Sequence, residues 1–181
     1  MLSKMRPFDD FLNKKNQYSF SNFWLVDAPL ELIWDELVNY KKWPTWCDGL
    51  EKIESIDQID QIDQFGPLQK GNNIRSIWKG FLPYPITFDA VVQDFIRYSF
   101  LSFTVTGDLY GEGICHFVSS PGRTTIHLIW NVSPTKFWMK MGSLVAKPVL
   151  VENHNHIMGQ AITGFTQMIS ENPDLILPVS S

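Results

Sequence analysis

The sequence predicts an α+β fold, in which one antiparallel sheet of about seven strands and its helices follow the order β-α-α-β6-α. Three observations carry this reading. An aromatic, β-rich run over Tyr18–Val26 leads straight into an apolar stripe at helical spacing. A series of strand-like runs then follows, with turn chemistry between successive members. From about residue 135 to 172 the pattern becomes helical again. A chain of 181 residues suits one globular unit with trimmings.

Residues 1–17 are mostly polar or charged, with Phe8, Phe11 and Leu12 scattered among them, and read as a weakly ordered arm. The main domain is expected over 18–172. After the first strand, Asp27-Ala28-Pro29 offers an N-cap residue and a first-turn proline. Leu30, Ile33, Trp34 and Leu37 then recur at i, i+3, i+4 and i+7, which makes one buried helical face. Pro44, within Trp43-Pro44-Thr45-Trp46, punctuates a short second turn that ends at Gly49.

Residues 50–56 suit a strand, after which Ile-Asp-Gln is written three times over 56–64. A period of three matches neither a strand nor a helix, so 56–66 reads as a loop insert. Asp57, Asp60 and Asp63 lack the glycine and terminal glutamate of a calcium loop. Strands are predicted at 73–79, 86–95, 98–106, 109–118 and 123–132. The separators carry Pro83 and Pro85, Gly107-Asp108, and Pro121-Gly122. Such short connections require antiparallel neighbours, because parallel ones need a crossover of a dozen residues or more. Pro148 sits badly inside a helix, so a short helical piece, a break and a long helix starting near Pro148 are expected. Residues 173–181 form a tail.

Composition narrows the function classes. Hydrophobic residues make up 44% and charged residues 19%, which excludes wholesale disorder. Fifteen basic against nineteen acidic residues leave a net charge of −4, with no basic cluster denser than Lys14-Lys15 or Lys41-Lys42, so no nucleic-acid partner is expected. Two cysteines, Cys47 and Cys115, form no framework and suit a reducing, cytoplasmic setting. The first ten residues lack the apolar run of a secretory signal and read as uncleaved. The most apolar stretch, 137–151, is broken by Lys140, Lys147 and Pro148, so a soluble protein without stable membrane insertion is expected.

The order of elements, with Trp24-Leu-Val-Asp-Ala-Pro-Leu-Glu-Leu-Ile-Trp34, Trp43-Pro-Thr-Trp46, Gly107-Asp-Leu-Tyr-Gly-Glu-Gly113, Thr125-Ile-His-Leu-Ile-Trp-Asn-Val132 and Asn153-His154 with Met158, resembles the START-like helix-grip (SRPBCC) superfamily. The likeness is to its polyketide cyclase/dehydrase and lipid-transport branch, and runs from about residue 18 to 171. It implies that the sheet is curved and wraps the C-terminal helix around a cavity. The superfamily includes carriers, sensors and enzymes, so the fold does not decide the function.

Alternation along each strand assigns its faces, taking the more apolar face as the inner one. Ile126, Leu128, Trp130 and Val132 point inward and His127 outward. Leu109, Gly111, Gly113, Cys115 and Phe117 read as inner, Tyr110, Glu112 and His116 as outer. The two glycines leave room or let the sheet bend. Ile74, Ser76 and Trp78 are assigned inward, with Ile86, Phe88, Ala90, Val92, Leu101, Phe103 and Val105. On a helical wheel centred on Ala161, Leu150, His154, Ile157, Met158, Phe165 and Met168 share one face, and Asn155 and His156 point away.

His154 therefore lies on a buried face, where it is a core histidine satisfied by a backbone carbonyl or a serine, a polar anchor for a ligand, or a general base. Acid–base chemistry needs a partner, and Asp89 and Glu112 fall on outward faces while Asp94 sits near the rim. Cys115 has no basic neighbour to stabilise a thiolate and reads as a small apolar core residue. Trp43, Trp46, Trp138, Met139 and Met141 lie in segments expected at the cavity mouth, as ordinary packing or as an amphiphilic rim.

The reading favoured by these residues is a module that binds a hydrophobic or amphiphilic small molecule, lipid or polyketide-like. Ser76, Trp78, Phe88, Phe103, Cys115, Trp130, Ile157 and Met158 supply shape and apolar contact, and His154 supplies an orienting hydrogen bond. No metal or cofactor is implied. A cyclase or dehydratase using His154 as acid/base, and an interaction module with a filled core, are the rival readings.

Overall fold

The computed structural model describes residues 17–56, 68–136 and 143–172. Residues 1–16 of the N-terminal arm, the Ile-Asp-Gln repeat beyond Ile56, and the 173–181 tail lie outside the described residues. Element order is β1 (Tyr18–Val26), α1 (Leu30–Val38), a 3-10 helix (Tyr40–Thr45), β2 (Leu50–Ser55), β3 (Asn73–Trp78), β4 (Ile86–Ile96), β5 (Phe100–Gly107), β6 (Leu109–Ser120), β7 (Arg123–Pro134) and α2 (Ser143–Glu171). Seven antiparallel strands make one sheet in the order β1-β7-β6-β5-β4-β3-β2. The sheet curls into a half-barrel around α2, the START-like helix-grip architecture. Irregularities in register between Leu50 and Lys52 and between Val92 and Asp94 accompany the bend.

Strand positions follow the sequence pattern closely, and the departures have local causes. Tyr98, expected to open a strand, instead adopts a φ of 63°, and Ser99 N–H bonds back to the Ile96 carbonyl, so both belong to the β4–β5 turn. The second member of the expected helix pair is a 3-10 helix with Pro44 inside it. Asp27 does not cap α1. The N-cap position is Pro29, whose carbonyl accepts from Ile33 N–H, and the Asp27 carboxylate is turned instead to Arg123 of β7.

The break expected at Pro148 is not observed. α2 starts at Ser143 and runs through Pro148 in its second turn. So close to the start of a helix, the missing N–H costs one hydrogen bond and the ladder resumes beyond it.

Trp34 of α1 is almost fully buried and meets Phe95, Tyr98 and Phe117 edge-on, with centroids 5.2, 5.9 and 4.9 Å away. These contacts clamp α1 over the β4–β6 side of the half-barrel. Behind it, the buried Thr124 hydroxyl donates to the Ala28 carbonyl at 2.9 Å, tying β7 to the start of the helix. On α2, Asn153, Ile157, Ala161, Phe165 and Ile169 are buried at intervals of four, so one stripe of the helix faces the sheet. Gly164 lets the helix touch the 3-10 segment, since a Cβ there would fall 1.8 Å from the Trp46 carbonyl oxygen.

Candidate ligand-binding cavity

Curling the sheet around α2 leaves a space that packing does not fill. It measures about 260 Å³. A dry cavity of about 150 Å³ is enough to take benzene, so this one suits a molecule of about ten non-hydrogen atoms. Its walls come from the alternating inner positions of the strands and one face of α2.

All nine residues predicted as ligand contacts line it: Ser76 and Trp78 on β3, Phe88 on β4, Phe103 on β5, Cys115 on β6, Trp130 on β7, and His154, Ile157 and Met158 on α2. Trp78 lies parallel to Phe88 at 6.3 Å, and Trp130 tilts against both Phe88 and Phe103 at 5.4 and 5.6 Å. Gly113 sits directly opposite Phe103 on β5 and Trp130 on β7. A Cβ there would fall 2.3 Å from the Phe103 ring and 2.8 Å from Trp130, so the room left by this glycine is already taken by those rings. Trp78 Nε1–H donates to Ser76 Oγ at 2.9 Å, which satisfies both polar groups within the wall.

The contacts of His154 differ from those expected. Its partner is neither a backbone carbonyl nor a serine. The Asn22 carboxamide on β1 donates from Nδ2 to His154 Nε2 at 3.3 Å, which assigns the ring proton to Nδ1. The imidazole also stacks on Phe20, with centroids 3.7 Å apart and planes 17° from parallel. Burial pushes its pKa down to about 4, because a charged ring loses its hydration there. Near neutral pH His154 is therefore uncharged.

Among the described residues that line the cavity there is no Asp, Glu, Lys or Arg. The carboxylates weighed as acid partners are engaged elsewhere. Asp89 pairs bidentately with Arg75, Asp94 binds Lys70, and Glu112 accepts from Asn131 on the outer face. His127 also faces outward as read, bonded to Ser21 and stacked on Phe23. Burial pushes the Cys115 thiol up to about 12, consistent with a packing residue. Trp43 and Trp46 line the cavity. Trp46 packs edge-on to Phe165 at 5.0 Å, and Trp43 Nε1–H donates to the Leu37 carbonyl. Trp138, Met139 and Met141 lie outside the described residues.

Asn22 and Asn153 also line the cavity, although neither is among the expected ligand contacts and Asn153 enters the sequence analysis only through the Asn153-His154 motif. Asn22 follows the alternation Tyr18, Phe20, Asn22, Trp24, but Phe23 and Leu25 on the opposite face are also apolar, so parity alone does not choose between the two faces. Asn153 lies about 80° from Ala161 on the wheel, outside the stripe considered. It is buried against Gly80, and its Oδ1 has no hydrogen-bond partner among the described residues.

No protein-family model matches the chain, and no curated protein matches it. Solved structures do. The Zhui aromatase/cyclase from Streptomyces sp. R1128 superposes with a TM-score of 0.68 at 12% identity, covering 87% of this chain and 96% of its own. A START superfamily protein from Mycobacterium smegmatis gives 0.64 at 11% identity, covering 84% and 97%. The di-domain ARO/CYC BexL from the BE-7585A biosynthetic pathway gives 0.61 at 16% identity, covering 87% of this chain and 53% of that longer one. These likenesses establish the START-like fold.

Proposed function

We propose that this chain binds a hydrophobic or amphiphilic small molecule, lipid or polyketide-like, in the cavity between α2 and the sheet. The observation that carries this is the lining itself, a wall of aromatic and aliphatic side chains with no charged group among the described residues. Trp78, Phe88, Phe103 and Trp130 give flat apolar contact, Ser76, Cys115, Ile157 and Met158 set the shape, and His154 orients the polar end of the ligand. The similar folds named as an aromatase/cyclase and a START superfamily protein lend weight to a ligand cavity. Both cysteines are free and buried, which suits a cytoplasmic setting. Among the described residues, no helix is long and apolar enough to cross a membrane.

An acid–base enzyme in the same cavity is the weaker reading. A general base works best with a pKa near the working pH, whereas His154 sits at about 4 and its hydrogen-bond partner is Asn22. A filled-core interaction module is disfavoured by the 260 Å³ of unfilled space.

Native mass spectrometry of the gently purified protein, followed by solvent extraction, tests the proposal. A bound species of defined mass, or uptake of a bicyclic aromatic by the bare protein, is expected. A bare protein that takes up neither naphthalenes nor medium-chain alcohols at their solubility limits overturns it.

A further inference from the structure

The geometry points to a narrower ligand class: an uncharged molecule of about ten non-hydrogen atoms that carries a hydroxyl group, not a carboxylate, phosphate or ammonium headgroup. This inference rests on the cavity reading above and adds the chemistry of the polar end. Its first support is the lining, which offers no side chain of either charge among the described residues. An ionised group brought into such a space loses its hydration and gains no counter-charge, a cost that apolar contact does not recover.

The second support is the hydrogen-bonding capacity left over on α2. His154 receives a hydrogen bond on Nε2 from Asn22, so its ring proton is on Nδ1, which has no partner among the described residues. Beside it in the chain, Asn153 Oδ1 is a buried acceptor without a partner. A hydroxyl can both accept from the first and donate to the second, whereas an ionised carboxylate or an ester carbonyl can only accept. The sheet wall makes no competing demand, since Ser76 and Trp78 are bonded to each other. Burial keeps the imidazole neutral near pH 7, so it offers a dipole and not a positive charge to whatever enters.

Three naphthalenes of nearly equal size separate the possibilities by equilibrium dialysis at pH 7, each followed by its own absorbance. We expect 2-naphthol to bind about fivefold or more tightly than 2-methylnaphthalene, the usual worth of one buried hydrogen bond. We expect 2-naphthoate to bind more than about 100-fold more weakly than 2-naphthol. The His154→Phe variant, which keeps a flat ring against Phe20, should retain 2-methylnaphthalene and lose much of the preference for 2-naphthol. Equal binding of 2-naphthol and 2-methylnaphthalene overturns the hydroxyl assignment, and 2-naphthoate binding as tightly as 2-naphthol overturns the uncharged class. In both cases the cavity reading survives. Retention of none of the three, nor of the medium-chain alcohols, removes the cavity reading, and this inference with it.

Discussion

The imidazole of His154 lies face to face with the Phe20 ring, centroids 3.7 Å apart, so the long helix and the first strand meet through a stacked pair at the cavity wall. A charged imidazole is poorly tolerated there, which gives the fold a pH dependence with a definite sign. Burial lowers the folded-state pKa to about 4, against an ordinary value of 6.5. Between these values the unfolded chain takes up a proton that the folded chain does not, so stability falls as pH drops through this window and is retained in full above it. By pH 4.5 the loss from this one group is about 2–3 kcal/mol. Urea unfolding at pH 7 and pH 4.5 should show the His154→Phe variant losing less stability than the parent by about that amount. Parallel losses in the two proteins would contradict the assignment.

Gly113→Ala probes the opposite wall. Its new methyl group would displace the Phe103 and Trp130 rings toward the cavity, because a Cβ there meets both below 3 Å. We expect a stability loss of about 1–3 kcal/mol, as for other overpacked interiors, together with weaker binding of 2-naphthol. Denaturant unfolding and dialysis check the two effects separately.

The core packed beneath α1 should respond more strongly than any surface ion pair. Trp34 is almost fully buried among Phe95, Tyr98 and Phe117, so Trp34→Ala should cost about 3–5 kcal/mol. Asp27 pairs with Arg123 in the open, with 75% and 46% of the two side chains exposed, so Asp27→Asn should cost less than about 1 kcal/mol. Thermal unfolding of the two variants side by side measures the contrast.

Much of this was legible in the sequence because the strands of the half-barrel are apolar on one face only. The period-two pattern from Ile126 to Val132 places Trp130 in the wall and His127 outside, as found. Where both faces of a strand are apolar the rule loses its contrast. On β1, Phe23 and Leu25 stay 68% and 55% exposed, and nothing in the pattern marks Asn22 behind them as the partner of His154. Local cap and breaker signals were also overridden by tertiary contacts. Asp27 turned to Arg123, and Pro148 was absorbed near the start of a helix held by its packed stripe. The polar groups of the cavity were the least legible, because a lone Asn in an apolar pattern gives no periodic signal.

An apolar ligand is expected inside the half-barrel, against α2, and not on the outer face where Phe23, Leu25 and Val118 are exposed. The most direct test is a 2-naphthol titration followed by NMR of methyl and aromatic side chains. Saturable shifts are expected at Met158, Leu128 and Trp130, with ring contacts from the bound naphthol to the Met158 methyl group. Shifts confined to Phe23, Leu25 and Val118, or no saturable shift at any inward-facing residue, would contradict it.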